Sequence, residues 1–133
     1  EQLGHADFVV IAAPLTPQTE GLFDEKAFKA MKKSARLINI GRGPIVKTDD
    51  LITALKSGEI AGAGLDVFEE EPLPEDHPLW DMENVTMTAH MAGDFIGWKR
   101  ALTDQFLENF DRWHKGEELF NLVDKELGYA GSK

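Results

Sequence analysis

The 133-residue chain contains no cysteine. Disulfide scaffolds, thiolate catalysis and cysteine-based zinc sites are therefore excluded. Positive charge is scarce: 14 Lys plus Arg stand against 24 Asp plus Glu, a formal net charge of −10. A nucleic-acid binder needs a basic footprint to meet phosphate, so this balance argues against that class. No apolar run approaches the roughly 20 residues of a membrane-crossing helix. Internal repeats are lacking, and so are both common glycine-rich phosphate loops, because no third glycine or helix start follows Gly62 and Gly64 at the required spacing. No initiator methionine and no signal-like segment opens the chain, which begins Glu1-Gln2-Leu3-Gly4-His5-Ala6-Asp7. The cytoplasm is the expected location.

What is present is an ordinary globular composition, with 42% apolar and 29% charged residues, which excludes a disordered chain. Four short apolar runs read as strands: Asp7–Ala13 (DFVVIAA), Ala35–Ile40 (ARLINI), Ala61–Val67 (AGAGLDV) and Asn84–Ala89 (NVTMTA). The first two are almost continuously apolar, the pattern of parallel strands buried on both faces. The third is glycine-rich and weaker on propensity.

Helical segments lie between the strands. Asp24 caps one through about Met31. Thr48 or Asp49 starts another, whose apolar stripe of Leu51, Ile52 and Leu55 ends at Ser57-Gly58. A last helix is expected from about Phe95 to Trp113, with Leu102, Phe106, Phe110 and Trp113 along one face. The stretch Glu69–His77 (EEEPLPEDH), with its prolines and acids, reads as an ordered loop, and Gly128–Lys133 as a tail. Strands alternating with helices imply βαβ units and a parallel sheet.

In an open α/β sheet, ligands bind beyond the carboxyl ends of the strands. In this chain those places are Pro14–Thr19, Gly41–Gly43, Asp66–Glu71 and His90–Gly93, and they hold its most reactive side chains. His90 is suited to proton exchange near neutral pH; the plainer reading is a strand-end histidine with no reaction to perform. Glu71 could hold an imidazole in one tautomer and favour its charged form, although runs of glutamate are usually solvated. Arg42, flanked by Gly41 and Gly43, could aim a planar fork at a carboxylate, or the glycines could serve a tight turn with the arginine in solvent. Asp66 ends a buried strand and needs a partner, either a helix N-terminus or a ligand amide. His5, His77 and His114 form no compact ligand spacing, so no metal site is expected.

Taken in order, ADFVVIAAPLTPQTEGLF, ARLINIGRGPIVKTDDLITALKSGEIAGAGLDVFEEEPLP and HPLWDMENVTMTAHMAG resemble the D-isomer-specific 2-hydroxyacid dehydrogenases over essentially the whole chain. The resemblance implies the second, nicotinamide-side half of a Rossmann-type doubly wound parallel sheet, with a C-terminal helix. Residues 1–93 would form that half-domain, 94–127 the helix and a segment returning towards a substrate domain, and 128–133 the tail. It implies catalytic roles for Arg42, Glu71 and His90, and contacts to NAD or NADP from Ala13, Pro14, Thr19, Ile40, Gly41, Arg42, Asp66, His90, Ala92 and Gly93.

The implied reaction is hydride exchange between the cofactor and a 2-keto acid, with His90 as acid/base, Glu71 as its partner and Arg42 on the substrate carboxylate. Glutamate rather than glutamine at position 71 speaks against a formate-dehydrogenase-like member. Where this chain has Met91-Ala92-Gly93, relatives often carry Ile-Gly-Gly or Thr-Gly-Gly. The G-x-G-x-x-G turn and ribose-binding acid of a complete dinucleotide fold are absent, so the 133 residues are expected to be an inactive catalytic half of a larger homodimeric enzyme. A corepressor-like protein that senses dinucleotide on the same fold, or a plain structural half-domain, are the alternative expectations.

Overall fold

The computed structural model describes residues 2–130. The chain divides after Ala92 into two compact units.

In the first unit, β1 (Phe8–Ile11), β2 (Arg36–Asn39), β3 (Gly62–Leu65) and β4 (Val85–Met87) form one parallel sheet in sequence order. Val9 is level with Leu37, Leu37 with Ala63, and Ala63 with Val85. All four expected strands are present, each shorter than its apolar run. Between β1 and β2 lies α1 (Glu25–Lys29), and between β2 and β3 lies α2 (Thr48–Ser57). Phe28 of α1 and Leu51 and Leu55 of α2 join Ile11, Leu37 and Leu65 in one buried cluster. Both helices therefore cover the same face, as right-handed crossovers moving one way along a sheet require.

The expectation of strands buried on both faces is met on one face only. Phe8 and Val10 of β1 are 60% and 54% exposed, whereas Leu37 and Asn39 of β2 point into the core at 0% and 1%. Continuous apolarity reported both faces of the strand, but the helices of this chain cover one.

The helix boundaries have local causes. Asp24 caps α1, its Oδ1 accepting from the Lys26 and Ala27 amides at 3.0 and 3.1 Å. The helix stops at Lys29, two residues short of expectation, and Met31 packs into the core from the turn beyond. α2 begins at Thr48 without a side-chain cap of its own. The Thr48 amide instead donates to Glu69 Oε2 at 2.7 Å, so the acidic loop supplies the cap from across the unit. Gly58 ends α2 in the left-handed conformation, as expected. The 69–77 stretch is a loop, followed by a 3₁₀ turn at Pro78–Asp81 that buries Leu79.

The second unit is α3 (Trp98–Lys115) followed by a short antiparallel pair, β5 (Val123–Asp124) and β6 (Tyr129–Ala130). α3 starts three residues later than expected because Gly97, at φ +93°, lies outside the helical region. Its stripe is present: Phe106 stacks near Phe110, and Phe110 near Trp113, with centroids 6.5 and 6.0 Å apart. Residues 129 and 130, expected in a tail, pair with β5 instead, through a turn in which Asp124 Oδ1 accepts from the Glu126 and Leu127 amides. Residues 131–133 of that expected tail lie outside the described residues.

Candidate active site

Each strand of the first unit ends in a turn that carries candidate residues. After β1, the Thr19 hydroxyl donates to Pro14 O at 2.8 Å and accepts from the Thr16 amide at 2.8 Å. Thr19 thus braces the turn that presents Ala13 and Pro14. After β2, Ile40 is 43% exposed and Gly41 is buried. A Cβ on Gly41 would lie 2.8 Å from Ala13 O, so glycine lets the first two turns meet.

The next turn is built by a residue that the sequence reading missed. Asn39 is 1% exposed. Its Oδ1 accepts from the Gly41 amide and its Nδ2 donates to Arg42 O, both at 3.1 Å. One buried amide side chain therefore shapes the backbone on both sides of Arg42. A polar residue in an otherwise apolar buried strand was the available signal. The Arg42 side chain is exposed and folds back to donate from Nη1 to Gly41 O at 2.7 Å. Its charge acts on Glu71, helping to hold that carboxyl below the usual range.

Asp66, just beyond β3, is 3% exposed. Of the two partners expected for it, a helix N-terminus is not what the structure shows. Its Oδ1 accepts from the Thr88 hydroxyl and from the Met91 amide (2.9 Å), and its Oδ2 from the Ala92 amide (2.8 Å). Burial pushes this carboxyl up, but the Thr88, Met91 and Ala92 hydrogen bonds outweigh burial and hold it below its ordinary value.

A depressed carboxylate stabilises the fold fully above its unfolded-state pKa of about 3.9, and that stability is lost as pH falls through the lower folded value. Urea titration at pH 7 and pH 3 is therefore expected to show a smaller acid-induced loss in Asp66→Asn than in the parent chain. Equal losses would remove Asp66 from the acid response.

Glu71 and His90 come together as the sequence suggested. Glu71 Oε2 is 2.8 Å from His90 Nδ1. The other carboxylate oxygen, Oε1, accepts from the Phe68 amide at 2.9 Å. The hydrogen bond to His90 is the main reason the Glu71 carboxyl lies below its ordinary value, with the Phe68 amide second. Facing a carboxylate, Nδ1 carries a proton and donates, which leaves Nε2 as the working nitrogen. The His90 side chain is 50% exposed and that of Glu71 36%, so the pair is reachable from solvent. Beside it opens a hollow of about 510 Å³ lined largely by Phe68, Pro72, Leu73, Trp80, Met87 and Ala89.

Ala92 closes the first unit, and Gly93 opens the second. Among the described residues no group of three or more His, Asp or Glu side chains is arranged to hold a metal ion.

Residues 1–92 match the family model described as "D-isomer specific 2-hydroxyacid dehydrogenase, NAD binding domain". The chain belongs to this family. A glyoxylate reductase of Thermofilum pendens is 45% identical over 125 residues, which are 94% of this chain and 37% of that protein. A D-isomer-specific 2-hydroxyacid dehydrogenase of Xanthobacter autotrophicus Py2, solved in complex with NADPH and MES, superposes with a TM-score of 0.86 at 45% identity, covering 96% of this chain and 52% of that one. The NADPH-dependent glyoxylate/hydroxypyruvate reductase of Sinorhizobium meliloti, in complex with NADP and sulfate, gives 0.88 at 39% identity, with 96% and 41% coverage. This 2-hydroxyacid dehydrogenase family chain thus spans about two fifths of the length of the curated relatives it matches.

Proposed function

We propose that this segment is the nicotinamide-side part of an NAD- or NADP-dependent dehydrogenase that interconverts a 2-keto acid and a D-2-hydroxy acid. The observation that carries the reading is the Glu71–His90 pair, exposed at the carboxyl edge of a parallel sheet with the Arg42 charge close enough to act on it.

The chain's residues fit the nicotinamide end of a dinucleotide. Asp66 Oδ2 accepts one hydrogen bond, from Ala92, and retains capacity for an amide N–H of the cofactor. With no side chain at Gly41, the Ala13 and Gly41 backbones lie close together, and both are proposed to meet the cofactor. The remaining proposed contacts are Pro14, Thr19, Ile40, Arg42, His90, Ala92 and Gly93. When bound, the reduced cofactor supplies a hydride to C2 of the keto acid. Arg42 would bind the substrate carboxylate and place positive charge beside the carbonyl as negative charge develops there. His90, held by Glu71 through Nδ1, would deliver the Nε2 proton to the C2 oxygen. In the oxidative direction the same nitrogen takes that proton back.

Glyoxylate and hydroxypyruvate are the proposed substrates, after the names carried by the relatives. The whole protein is proposed to be a cytoplasmic homodimer, in keeping with the family. Net charge supports a small-molecule substrate rather than nucleic acid, and no described helix is long and apolar enough to cross a membrane.

The test is consumption of NADH or NADPH with these keto acids. A full-length protein carrying this segment should turn over. The 133-residue chain by itself should not, since no G-x-G-x-x-G turn for the pyrophosphate occurs in it. Turnover by the 133 residues, or its absence from the full-length protein, would defeat the proposal, and the latter result would favour a corepressor-like binding role.

A further inference from the structure

The His90 backbone has a left-handed φ of +52°, a conformation that non-glycine residues persist in only when their surroundings impose it. Glu71 meets the ring nitrogen of His90 and not its backbone. The groups that bracket the residue all go to a single carboxylate. Thr88 Oγ1, two positions before His90, donates to Asp66 Oδ1. The amides of Met91 and Ala92, one and two positions after it, donate to Asp66 Oδ1 and Oδ2. Asp66 is itself fixed to the sheet, its amide donating to Asn39 O at 2.9 Å, and the Thr88 amide donates to Leu65 O at 2.9 Å.

We propose that Thr88 and Asp66 form a clamp that positions His90, setting its backbone so that Nδ1 meets Glu71 and Nε2 faces outward. Thr88 is a positioning residue in this scheme. It touches the carboxylate and not the imidazole. The inference deepens the acid/base reading of His90 and rests on it for its consequence in catalysis, although the clamp can be tested without turnover.

The clamp makes one carboxylate serve two purposes. The Oδ2 atom that fixes Ala92 is also the one with capacity for a cofactor amide. A ligand that pulls on Asp66 would therefore pull on the loop that carries the proton donor.

Thr88→Val keeps the shape of the side chain and removes only the hydroxyl donor; Thr88→Ser restores the donor. Thr88 is exposed as a residue, so neither change burdens the core. The decisive experiment is ¹⁵N NMR of the histidine rings in the 133-residue chain. His90 in the parent and in Thr88→Ser is expected as the Nδ1–H tautomer with a slowly exchanging proton. In Thr88→Val it should show mixed tautomers and fast exchange. His77, whose Nδ1 accepts from the Leu79 amide, should be unchanged throughout and reports that the fold is intact.

In a full-length protein carrying the segment, Thr88→Val should lower kcat about tenfold or more, and Thr88→Ser should recover it. An unchanged His90 tautomer and exchange rate in Thr88→Val would overturn the clamp, whatever happens to kcat. A changed His90 ring without the kcat loss would instead leave the clamp standing and overturn the catalytic role given to His90.

Discussion

His90→Gln, in a full-length protein carrying this segment, is expected to lose kcat by a factor of about 10²–10⁴ while cofactor affinity stays nearly unchanged. That range is the usual contribution of a positioned general acid. Glutamine fills similar space and can still hydrogen-bond Glu71, so the geometry of the pocket survives. An amide has no proton to give near neutral pH, and the C2 oxygen would have to take one from water. Cofactor affinity should hold nearly unchanged because His90 is one of several proposed contacts, and the group with capacity for the nicotinamide amide is Asp66, held by Thr88, Met91 and Ala92 rather than by the imidazole. Steady-state kinetics with a parallel fluorescence titration of reduced cofactor separates the two effects. Parental kcat in the variant would show that His90 is a bystander.

The second large effect is one of stability, and it falls on a residue with no side chain. A Cβ on Gly43 would lie 1.8 Å from Phe68 O, 1.9 Å from Phe68 C and 2.5 Å from Glu69 N. All three atoms are backbone, so no rotamer change relieves the overlap. Either the Gly43 turn or the segment after β3 must move. Gly43→Ala is therefore expected to destabilise the chain by about 3 kcal/mol or more, at the upper end of overpacking penalties. The damage should also reach the acid/base pair, because the Phe68 amide donates to Glu71 Oε1. Shifting Phe68 loosens the carboxylate that holds His90. Urea unfolding followed by circular dichroism reads the stability, and a midpoint equal to that of the parent would contradict this packing.

Much of this arrangement was legible in the residues themselves. Apolar runs alternating with capped helical stripes gave the parallel sheet. Its carboxyl edge then picked out Arg42, Asp66, Glu71 and His90 without regard to any relative. The Glu71–His90 contact was implied by the family resemblance, since the residues alone offered three consecutive glutamates with nothing local to single out the last. Other features depended on contacts that no local pattern records. Asn39 looked like one polar residue in a strand, and its job of shaping the Arg42 turn became visible only from its hydrogen bonds to Gly41 and Arg42. Of the two partners expected for Asp66, the helix N-terminus gave way to the loop after β4, which it grips through the Met91 and Ala92 amides. Glu69 caps a helix that begins 21 positions earlier in the chain. The exposed face of β1 shows the converse: Phe8 and Val10 are apolar enough for two-sided burial, but the helices that cover this sheet pack on the other side.

The most direct measurement follows the hydride. A full-length protein carrying this segment would be given glyoxylate's longer analogue, pyruvate or hydroxypyruvate, with reduced nicotinamide cofactor carrying deuterium at both C4 positions, and the product examined by NMR and chiral chromatography. The expected product is the D-2-hydroxy acid with deuterium at C2, formed by the parent and nearly absent with His90→Gln. Product of the L configuration, or carrying no deuterium at C2, would contradict hydride transfer at this site.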